Sequence, residues 1–372
     1  MSDESSGYGL GESDNSTEFE ARELPYLPTM PRQYRPKIGL IGCGGISEYH
    51  LRAYKKLGLS VVALCSRDIE KAKARRDEFF PNADVYSGYR DVCSREDIEI
   101  IDATPHPPER VEIIESALKA GKHVLSQKPF VFDLAVGKRL VQLAQEQQRL
   151  LVVNQNGRWA PHFSYIRHAI DAGLIGSVSS VNFSLQWDHS WTAGTPFDEL
   201  RHLILMDFGV HWFDICTVFF GNRKPITVSA TIAKLPGQKN QAPMLAHVTV
   251  EYPEGQATMS FNGHVLHGQK DETTVTGELG TLRSTGPSLN EQSVSMHLES
   301  GIAVPALQGG WFENGFQGAM TELLCAIEEQ REPSHSASNN LDSLALCFAA
   351  LARADDGGQP KSPGKYTTYS SD

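Results

Sequence analysis

An acid–base constellation lies in the middle of the chain, in the segment Asp207-Phe-Gly-Val-His211-Trp-Phe-Asp214. The surrounding residues 203–219 are apolar at helical spacing, so we predict a helix over this range. Positions i, i+4 and i+7 share one helix face, which would place His211 between the two carboxylates. An imidazole held in one tautomer by a carboxylate is a general base that works near neutral pH. An incidental His–Asp pair on a partly buried helix would show the same spacing. The motif alone therefore does not distinguish a general base from an ordinary ion pair, and the rest of the sequence is needed.

Composition limits the classes of protein to which the chain can belong. With 372 residues, 40% hydrophobic and 21% charged, it is typical of a soluble globular protein of two domains. The net charge is −11, but the first 23 residues hold seven acids and one base and so contribute −6 of it. The remainder is only mildly acidic, which argues against nucleic acid or an anionic membrane as a partner. No apolar run approaches the roughly 18–20 residues that span a bilayer.

Residues 1–35 are rich in Ser, Gly and Glu, and several prolines follow from position 25 onward. We predict a disordered acidic leader over this range, without an export signal. The six cysteines show no C-x-x-C spacing and mostly lie in apolar segments. They indicate reduced thiols in a cytoplasmic protein, and neither a disulfide framework nor a metal site is predicted.

The first half of the chain carries the pattern of a dinucleotide-binding domain. An apolar run at 37–41 leads into Gly42-Cys-Gly44-Gly-Ile-Ser47, and a helical pattern follows over 46–57. Gly42 permits a tight turn, and Gly44 lets the backbone approach a pyrophosphate at the helix N-terminus. Ser47 takes the third position of the motif, where a small residue allows close helix–strand packing. The predicted cofactor contacts in this turn are Gly42, Cys43, Gly44, Gly45 and Ile46.

Strand and helix patterns then alternate as far as residue 155. Further strands are predicted at 60–65, 98–103, 123–126 and 150–153, with a weaker one at Val85-Tyr86, and helices at 69–79, 107–120 and 133–148. This alternation predicts a parallel, doubly wound sheet in a nucleotide-binding domain of residues 36–155. In such sheets the ligand lies beyond the carboxyl ends of the strands. The predicted cofactor contacts at those ends are Ser66, Arg67, Thr104, Pro105, His106, Gln127 and Lys128.

The end of the second predicted strand bears on the choice of cofactor. An acid there would bond the adenosine ribose of NAD, but the chain has Ser66 followed by Arg67. A hydroxyl and a guanidinium suit the 2′-phosphate of NADP, so we favour NADP over NAD. In the alternative, Arg67 is a solvated surface residue and Asp68 serves NAD.

Lys128 is a second candidate for chemistry. It lies just past an apolar strand, and Pro129 restricts the chain direction after it. A lysine at this place can hydrogen-bond a substrate hydroxyl beside the nicotinamide, although an ordinary surface lysine would fit the same pattern.

From about residue 155 the pattern changes to shorter strands, at 178–186, 226–234, 245–252, 256–263 and 271–276. All five tryptophans lie in this half, and aromatic faces beside hydrogen-bonding groups suit a sugar or cyclic polyol. Some of these indoles would instead belong to the core, which we expect of Trp212 and allow for Trp311. Scattered histidines such as His106, His162, His189 and His202 could also touch a ligand, although such residues are more often structural. The predicted substrate-binding residues are Asn156, Arg158, Trp159, Trp187, Trp191, Asp207 and His211.

Together these features resemble the Gfo/Idh/MocA family, which includes glucose–fructose oxidoreductase and inositol dehydrogenase. The resemblance covers residue 37 to about 360. The motifs that carry it are Gly42 to Ser47 with His50, Gln127-Lys128-Pro129, and Asp207-x-x-x-His211-x-x-Asp214, with weaker matches at 171–176, 277–281 and 311–358.

The resemblance implies a second α/β domain over residues 156–372. Its large, mainly antiparallel sheet would have an open face that commonly forms oligomers, here a homodimer or homotetramer. Lys128 then matches the catalytic lysine of the family, His211 its acid/base histidine, and Asp207 the carboxylate that completes the set. One departure is visible, because the family usually has Glu-Lys-Pro and this chain has Gln127.

We therefore predict an NAD(P)-dependent oxidoreductase that acts on a secondary alcohol or ketone of a sugar, sugar derivative or cyclitol. His211 would take the hydroxyl proton, Lys128 would bond the same oxygen, and Asp207 would orient His211. Two alternatives stay open. One is a glycoside-cleaving enzyme that uses tightly bound NAD for transient oxidation and elimination, a chemistry known in relatives of the family. The other is a non-catalytic sensor or regulator on the same fold, which would not need all three of these residues.

Overall fold

Residues 17–221 and 223–369 are described in the computed structural model of the chain, and their first half forms a six-stranded parallel sheet. Its strands are β1 (Lys37–Ile41), β2 (Ser60–Cys65), β3 (Asp84–Tyr86), β4 (Ile100–Ala103), β5 (His123–Ser126) and β6 (Leu151–Val153). Its helices are α1 (Ser47–Lys56), α2 (Ile69–Phe79), α3 (Tyr89–Cys93), α4 (Pro107–Lys119) and α5 (Leu134–Glu146). The strand order β3-β2-β1-β4-β5-β6 is that of a doubly wound dinucleotide-binding fold.

The second half forms an eight-stranded sheet with the order β14-β13-β12-β11-β7-β10-β9-β8. These strands are β7 (Val178–Gln186), β8 (Thr227–Ala233), β9 (Leu245–Tyr252), β10 (Gly255–Asn262), β11 (Lys270–Gly277), β12 (Gly280–Ser288), β13 (Glu291–Leu298) and β14 (Gly301–Ala303). The pair β7–β10 is parallel, and every other neighbouring pair is antiparallel. The helices of this half are α6 (Pro161–Asp171), α7 (Val210–Phe220), α8 (Trp311–Glu329) and α9 (Ala337–Asp356).

The two sheets differ in how their strands are buried. Strands of the first sheet are aliphatic on both faces, as in the adjacent residues Leu40 and Ile41 of β1, which are 0% and 3% exposed and lie in different buried clusters. Strands of the second sheet alternate, so that Val181 and Phe183 face the core while Asn182 between them is exposed. This is the pattern of an antiparallel sheet with one covered and one open face. The predicted fold class is confirmed.

Several elements begin and end at the predicted residues, whereas one part of the second sheet was not predicted. The bounds of β1, β2, β5, β7, β9 and α2 agree with the prediction. Strands β12, β13 and β14 were missed. In β12 only Leu282 is a large apolar side chain, and Gly286 and Pro287 interrupt its end, so the period of two is hard to detect in the sequence.

The predicted single helix over 203–219 is wrong in its first part. Residues Leu203–Phe208 form a π-helical turn, closed by a 2.7 Å hydrogen bond from the Gly209 amide to the Ile204 carbonyl oxygen, and α7 begins only at Val210. A π turn holds more residues than an α turn, so the i, i+4 relation between Asp207 and His211 is lost. Gly209 is required at the junction, because a Cβ there would lie 2.7 Å from the Leu205 carbonyl oxygen.

The predicted disorder of the leader is wrong for residues 17–35, whereas residues 1–16 lie outside the described part. The Phe19 amide donates to the Ile302 carbonyl oxygen at 3.1 Å, which adds this segment to the edge of the second sheet. Further along, the main-chain amides of residues 32–34 donate to the Glu328 carboxylate at 2.6–2.7 Å. The acidic composition of the leader predicted a solvated segment, but these main-chain bonds depend on partners more than 280 positions away along the chain.

Helix α8 ties the two halves together. It belongs to the range that we assigned to the second domain, yet its apolar face packs into the core of the first sheet. Its side chains Phe316, Met320, Leu323 and Leu324 lie in the same buried cluster as Ile38 and Leu125. The two halves therefore share a buried cluster along α8. No helix in the described ranges is long and apolar enough to cross a membrane.

Candidate active site

A cavity of about 540 Å³ opens between the carboxyl ends of β4 and β5 and the second domain. Gln127 and Lys128 border it from the first half, and Asp207 and His211 border it from the second. Parallel strands end at one edge of their sheet, which explains why residues distant in sequence meet here. The other predicted site residues that border the cavity are Ile46, Thr104, Pro105, His106, Asn156, Trp187 and Trp191.

Lys128 and Asp207 form an ion pair across the cleft. Lys128 Nζ lies 2.8 Å from the Asp207 carbonyl oxygen and 3.2 Å from its Oδ1 atom. The side chains are 16% and 19% exposed, so both remain accessible from the cavity. The Asp207 carboxylate therefore bonds the lysine and not His211, contrary to the orienting role that the spacing suggested. The cause is the π turn, which removes Asp207 from the helix face of His211.

His211 lies at the start of α7 against two tryptophans. Its ring meets Trp311 edge to face, with centroids 5.5 Å apart, and Trp311 stacks on Trp212 at 5.7 Å. Burial lowers the pKa of His211 well below its ordinary value, and the positive charge of Lys128 lowers it further. The Nδ1 atom is buried without a hydrogen-bond partner among the described residues. His211 is therefore a neutral imidazole at physiological pH, the form that can accept a proton.

Asp214, the other carboxylate of the motif, belongs to a different site. Arg158 donates from Nε and Nη2 to the two oxygens of Asp214, each at 2.6 Å, and the two side chains are only 4% and 1% exposed. Arg158 also donates to Asn339 at 2.6 Å. The predicted substrate role of Arg158 is therefore corrected: its guanidinium is engaged in a buried ion pair away from the cavity.

Trp159 is also placed in the core and not at the cleft. It is 6% exposed, meets His335 edge to face at 4.9 Å, and packs so closely on Gly318 that a Cβ there would collide with the indole. Residues Asn156–Trp159 form a 3₁₀ turn, which leaves Asn156 at the cavity and directs Arg158 and Trp159 toward α8 and α9. The sequence placed this segment near the cleft but did not indicate the direction of each side chain.

The glycine turn after β1 fits a dinucleotide. Gly42 has a positive φ of 103°, and a Cβ on it would lie 2.5 Å from Thr104 Oγ1. At Gly44 and Gly45 a Cβ would meet nothing within 4 Å, so the main chain borders open space at the start of α1. The amides of residues 47–49 already donate to the carbonyl oxygens of residues 44–46 at 3.1–3.3 Å, so the turn ahead of them is the part that can take a phosphate at this helix N-terminus. The Cys43 side chain points inward, with Sγ 3.5 Å from the Cys65 carbonyl oxygen, and only its main chain can face a cofactor.

At the end of β2 the acid that could bind a ribose is already engaged. Asp68 caps α2 by accepting a hydrogen bond from the Glu70 amide at 3.1 Å. Arg67 is 85% exposed and pairs with Glu109 at 3.0 Å. Ser66 and Arg67 do not border the cavity that holds Lys128 and His211, which is expected because the adenosine end of a dinucleotide binds far from the nicotinamide end.

A buried hydrogen-bond network supports Gln127. Its Oε1 atom accepts from the Lys128 amide at 2.7 Å and from Asn154 Nδ2 at 3.2 Å. Asn154 Nδ2 also lies 3.3 Å from His50 Nε2, and His50 Nδ1 lies 2.7 Å from Asp102 Oδ2. The pair His50–Asp102 is fully buried. The network links α1, β4 and β6 to the residue before the candidate lysine, so it fixes the main chain at that point.

Arg110 holds the two strand-end loops together and was not predicted. It is 1% exposed and donates to the Pro105 carbonyl oxygen at 2.6 Å and to the Pro129 carbonyl oxygen. Burial lowers its pKa to about 9. An arginine on an amphipathic helix gave no sequence signal for this role, because its partners are main-chain carbonyls.

Other residues at the cavity were missed or assigned to the core alone. Trp212 and Trp311 are buried as expected, at 1% and 2% exposure, yet both also border the cavity. Ser288 and Asn290 reach it from the β12–β13 turn, which could not be placed because those strands were not predicted. Further aromatic residues at the cavity are Phe197, Phe208, Phe312 and Phe316.

The fold and the site define a dinucleotide-dependent oxidoreductase with a substrate cleft between two α/β halves. Residues 36–155 match the model of an oxidoreductase family with an NAD-binding Rossmann fold, and residues 163–283 match the GFO/IDH/MocA C-terminal domain. The chain belongs to the Gfo/Idh/MocA family and is an NAD(P)-binding oxidoreductase, as its sequence predicted.

Two of the relatives are named as a sugar dehydrogenase and a cyclitol dehydrogenase. A D-apiose dehydrogenase of Paraburkholderia graminis is 27% identical over 349 residues, covering 87% of this chain and 88% of the relative. An inositol 2-dehydrogenase of Rhizobium meliloti is 24% identical over 327 residues, covering 85% and 96%. The fold also matches an oxidoreductase from Agrobacterium radiobacter, solved with NAD+, L-tartaric acid and magnesium, with a TM-score of 0.78 and 21% identity over 87% of this chain and 98% of that one.

Proposed function

We propose that the protein interconverts a secondary alcohol and a ketone on a sugar, sugar derivative or cyclitol, with Lys128 and His211 as its catalytic residues and Asp207 as the residue that positions the lysine. The observation that carries this proposal is the meeting of an accessible Lys–Asp pair and a neutral histidine in one cleft. The cleft lies at the carboxyl ends of β4 and β5, where a nicotinamide binds in this type of sheet.

Each residue has a distinct task in the oxidative direction. His211 takes the proton of the substrate hydroxyl, because its neutral form persists at physiological pH. Lys128 donates a hydrogen bond to the same oxygen and stabilises its developing negative charge. Asp207 holds the Lys128 ammonium through its carbonyl and carboxylate oxygens, which makes it a positioning residue for the lysine. When bound, the nicotinamide accepts or returns the hydride.

The cofactor is held from the glycine turn to the strand ends. The main chain of Gly42–Ile46 would hold the pyrophosphate, since there is open space at Gly44 and Gly45. The residues that would hold the nicotinamide half are Thr104, Pro105, His106, Gln127 and Lys128, because all five border the cavity.

We further propose that Ser66 and Arg67 give the enzyme a preference for NADP. Asp68 Oδ1 caps α2, whereas Arg67 is 85% exposed and is held only by a surface pair with Glu109 that a 2′-phosphate can replace, so the Ser66 hydroxyl and Arg67 would meet the ribose substituent. A hydroxyl and a guanidinium suit a phosphate better than a free ribose. Ser66→Asp should therefore shift the ratio of NADP to NAD affinities toward NAD, by on the order of 1–3 kcal/mol. A wild-type enzyme that binds NAD at least as tightly as NADP would contradict the proposal.

The aromatic lining of the cleft supports the proposed substrate class. Trp187 and Trp191 border the cavity beside Asn156, Asp207 and His211, and such mixed surfaces suit the C–H faces and hydroxyls of a polyol. Two relatives are named for D-apiose and inositol, in agreement with this class.

The test is a panel of myo-inositol, scyllo-inositol, D-apiose, D-glucose and a 3-keto-glycoside, each with both cofactors, followed by the absorbance of the reduced nicotinamide. We expect cofactor-dependent turnover of at least one member. Absence of turnover with every member, in protein shown to bind cofactor, would refute the proposed substrate class.

We also propose a cytoplasmic homodimer or homotetramer joined through the open face of the second sheet. That face carries rows of polar side chains, among them Asn182 and Thr258, whose side chains bond each other at 2.7 Å across neighbouring strands. A broad, flat, polar sheet face can join a second copy by side-chain hydrogen bonds. Light scattering on the purified protein measures the state, and Thr258→Arg should lower it. A wild-type monomer would refute this part.

A further inference from the structure

His189 is a polar residue of the cleft that the proposed mechanism does not use. It lies in the loop after β7, and its ring stacks on Phe208 with centroids 4.0 Å apart and planes 17° apart. Trp191 donates from Nε1 to His189 Nδ1 at 3.2 Å. His189, Trp191 and Phe208 all border the cavity that holds Lys128 and His211.

The contact with Trp191 determines which nitrogen of His189 carries the proton. An indole N–H can only donate, so His189 Nδ1 must be an unprotonated acceptor. The proton of the neutral ring then lies on Nε2. Burial lowers the pKa of His189 to about 4 despite the nearby charges of Asp188 and Asp207, so the ring stays neutral at physiological pH.

The Nε2 group is a donor without an acceptor. Its atom is buried and has no hydrogen-bond partner in the described part of the chain. A buried donor left without a partner is costly, and native proteins nearly always satisfy it. Other histidines, such as His162 and His264, also have an unpartnered ring nitrogen, but they do not border the cavity. Among the described residues with an unpartnered ring nitrogen, His189, His211 and Trp212 border the cavity. His211 already acts in the proposed mechanism and Trp212 is a core indole that is 1% exposed, so His189 is the remaining imidazole.

We propose that His189 is a specificity-determining residue whose Nε2–H donates to a substrate oxygen other than the one that reacts, and that Trp191 is the positioning residue that fixes this proton. In the proposed mechanism Lys128 and His211 contact the reacting oxygen of the substrate. His189 therefore selects substrates that have an acceptor oxygen at a second position. The inference rests on the proposed function, because it assigns a second contact to the same polyol substrate.

The first test examines the tautomer in the protein alone. In protein labelled with ¹⁵N-histidine, the imidazole resonances of His189 are identified by their loss in His189→Phe. The wild type should show the Nε2–H tautomer at neutral pH, and Trp191→Phe should give a mixture or the Nδ1–H form. A wild-type His189 in the Nδ1–H form, or protonated at neutral pH, would overturn the assignment.

The second test uses steady-state kinetics with the panel of five compounds and both cofactors. His189→Phe keeps an aromatic ring on Phe208 but removes the donor, and it should lower kcat/KM about 10- to 100-fold, mainly through KM. His189→Gln places an amide N–H near the position of Nε2 and should recover most of that loss. Trp191→Phe keeps an aromatic face and should cost about threefold alone, but nothing further when combined with His189→Phe, because it acts through the histidine.

His264→Phe is the matched control, since this histidine lies close to the same loop, pairing with Asp188 through the main chain, but outside the cavity. It should leave kcat/KM unchanged. Turnover of a panel compound by the wild type with no change in KM for His189→Phe would refute the role of His189 alone. Lack of turnover by the wild type would refute the proposed function and, with it, this inference.

Discussion

The two sides of the cleft obtain their functional groups in different ways. On the first side, Gln127 and Lys128 follow β5 directly, and the parallel sheet brings them to the edge where Thr104 follows β4. On the second side, Asp207 lies in a π turn and His211 in the first turn of an α-helix. The first placement follows from topology and tolerates small errors in element bounds. The second depends on a single non-standard turn.

The same difference separates the two carboxylates of the central motif. Asp207 reaches the cleft and bonds Lys128, whereas Asp214, seven residues on, is fully buried and bonds Arg158. In both pairs a basic side chain from the segment 128–158 bonds a carboxylate from the segment 207–214. One pair keeps access to the cavity and can serve chemistry, whereas the other is sealed, so that loss of either partner would leave an uncompensated buried charge.

Removal of the proposed catalytic groups should have the largest effect and tests whether the two sides act as one site. Lys128→Ala and His211→Ala should each lower kcat by roughly 10²–10⁴ while cofactor affinity stays nearly intact, as for loss of a positioned proton-transfer or electrostatic group. The double variant should be far from additive, because both residues act on one oxygen. Turnover is measured with a panel substrate, and cofactor affinity by fluorescence titration.

Lys119→Ala is the control for these variants, since this lysine is 64% exposed on α4 and should leave kcat unchanged. Asp207→Asn should cost less than Lys128→Ala, because the Asp207 carbonyl oxygen would still accept from the lysine. A His211→Ala enzyme with most of its turnover would overturn the mechanism. Loss of cofactor binding in Lys128→Ala would make that lysine a cofactor anchor.

Breaking the buried ion pair should have the next largest effect, on stability instead of catalysis. Arg158→Ala leaves the Asp214 carboxylate buried without its cation, which should lower the free energy of unfolding by about 3–5 kcal/mol. The measurement is urea denaturation in the absence of substrate. Arg52→Ala, which removes an exposed pair with Glu48, should leave the urea midpoint unchanged. If Arg158→Ala were as stable as the wild type but raised KM, the sequence-based substrate role would be right after all.

Buried neutral histidines should make the protein sensitive to acid, mainly through its second half. Burial lowers the pKa of His162 and His335 to about 3 and that of His123 to about 4, and it also lowers that of His211. In the unfolded chain these histidines become protonated near pH 6.5. In the folded protein they stay neutral until the pH is much lower. Their contribution is therefore complete above pH 6.5 and is lost as pH falls, by about 1.4 kcal/mol per pH unit for each histidine.

The carboxyl group of Asp271 has the opposite effect and partly offsets the loss of stability at low pH. Burial raises the pKa of Asp271 to about 7, so the folded state holds this proton and gains stability as pH falls from 7 toward 4. Because the histidines outnumber it, the urea midpoint should decrease from pH 6.5 to 4.5. His162→Phe should flatten this dependence, whereas a midpoint that rises with acid would contradict the burial of these rings.

The sequence predicted the fold more completely than the site, for physical reasons. Periods of 2 and 3.6 are local signals, so the strands and helices of the first half could be placed to within two residues, except for the five-residue helix α3, which was missed. Strand-end topology then located Lys128. The π turn at Asp207 is closed by the local bond from the Gly209 amide to the Ile204 carbonyl oxygen, which the apolar spacing of the segment did not reveal. The directions of Arg158 and Trp159 and the order of residues 17–35 instead depend on partners distant in sequence. Pairings between distant residues produce no periodic pattern in the sequence, and they determine which predicted residues reach the cleft.

Gln127→Glu should have the smallest effect. It tests whether a charge added on the first side of the cleft changes the pKa of His211 on the second side. Gln127 Oε1 accepts from the Lys128 amide and from Asn154, and a carboxylate oxygen would accept the same two bonds. The second carboxylate oxygen would replace an amide N–H and add a negative charge beside Lys128. Burial lowers the pKa of His211 more than the charge of Lys128 does. The added negative charge can therefore offset only the smaller contribution, that of Lys128.

The pKa of His211 should therefore rise in Gln127→Glu, and the acid limb of the kcat/KM profile should move to higher pH by about half a unit, with kcat at pH 8 nearly unchanged. The profile is measured from pH 5 to 9 with saturating cofactor. Gln147→Glu adds the same charge at an exposed position at the end of α5 and should not move the limb. A limb that stayed in place in Gln127→Glu would mean that the charge of Lys128 does not reach His211, and the two sides would then be coupled through the substrate alone.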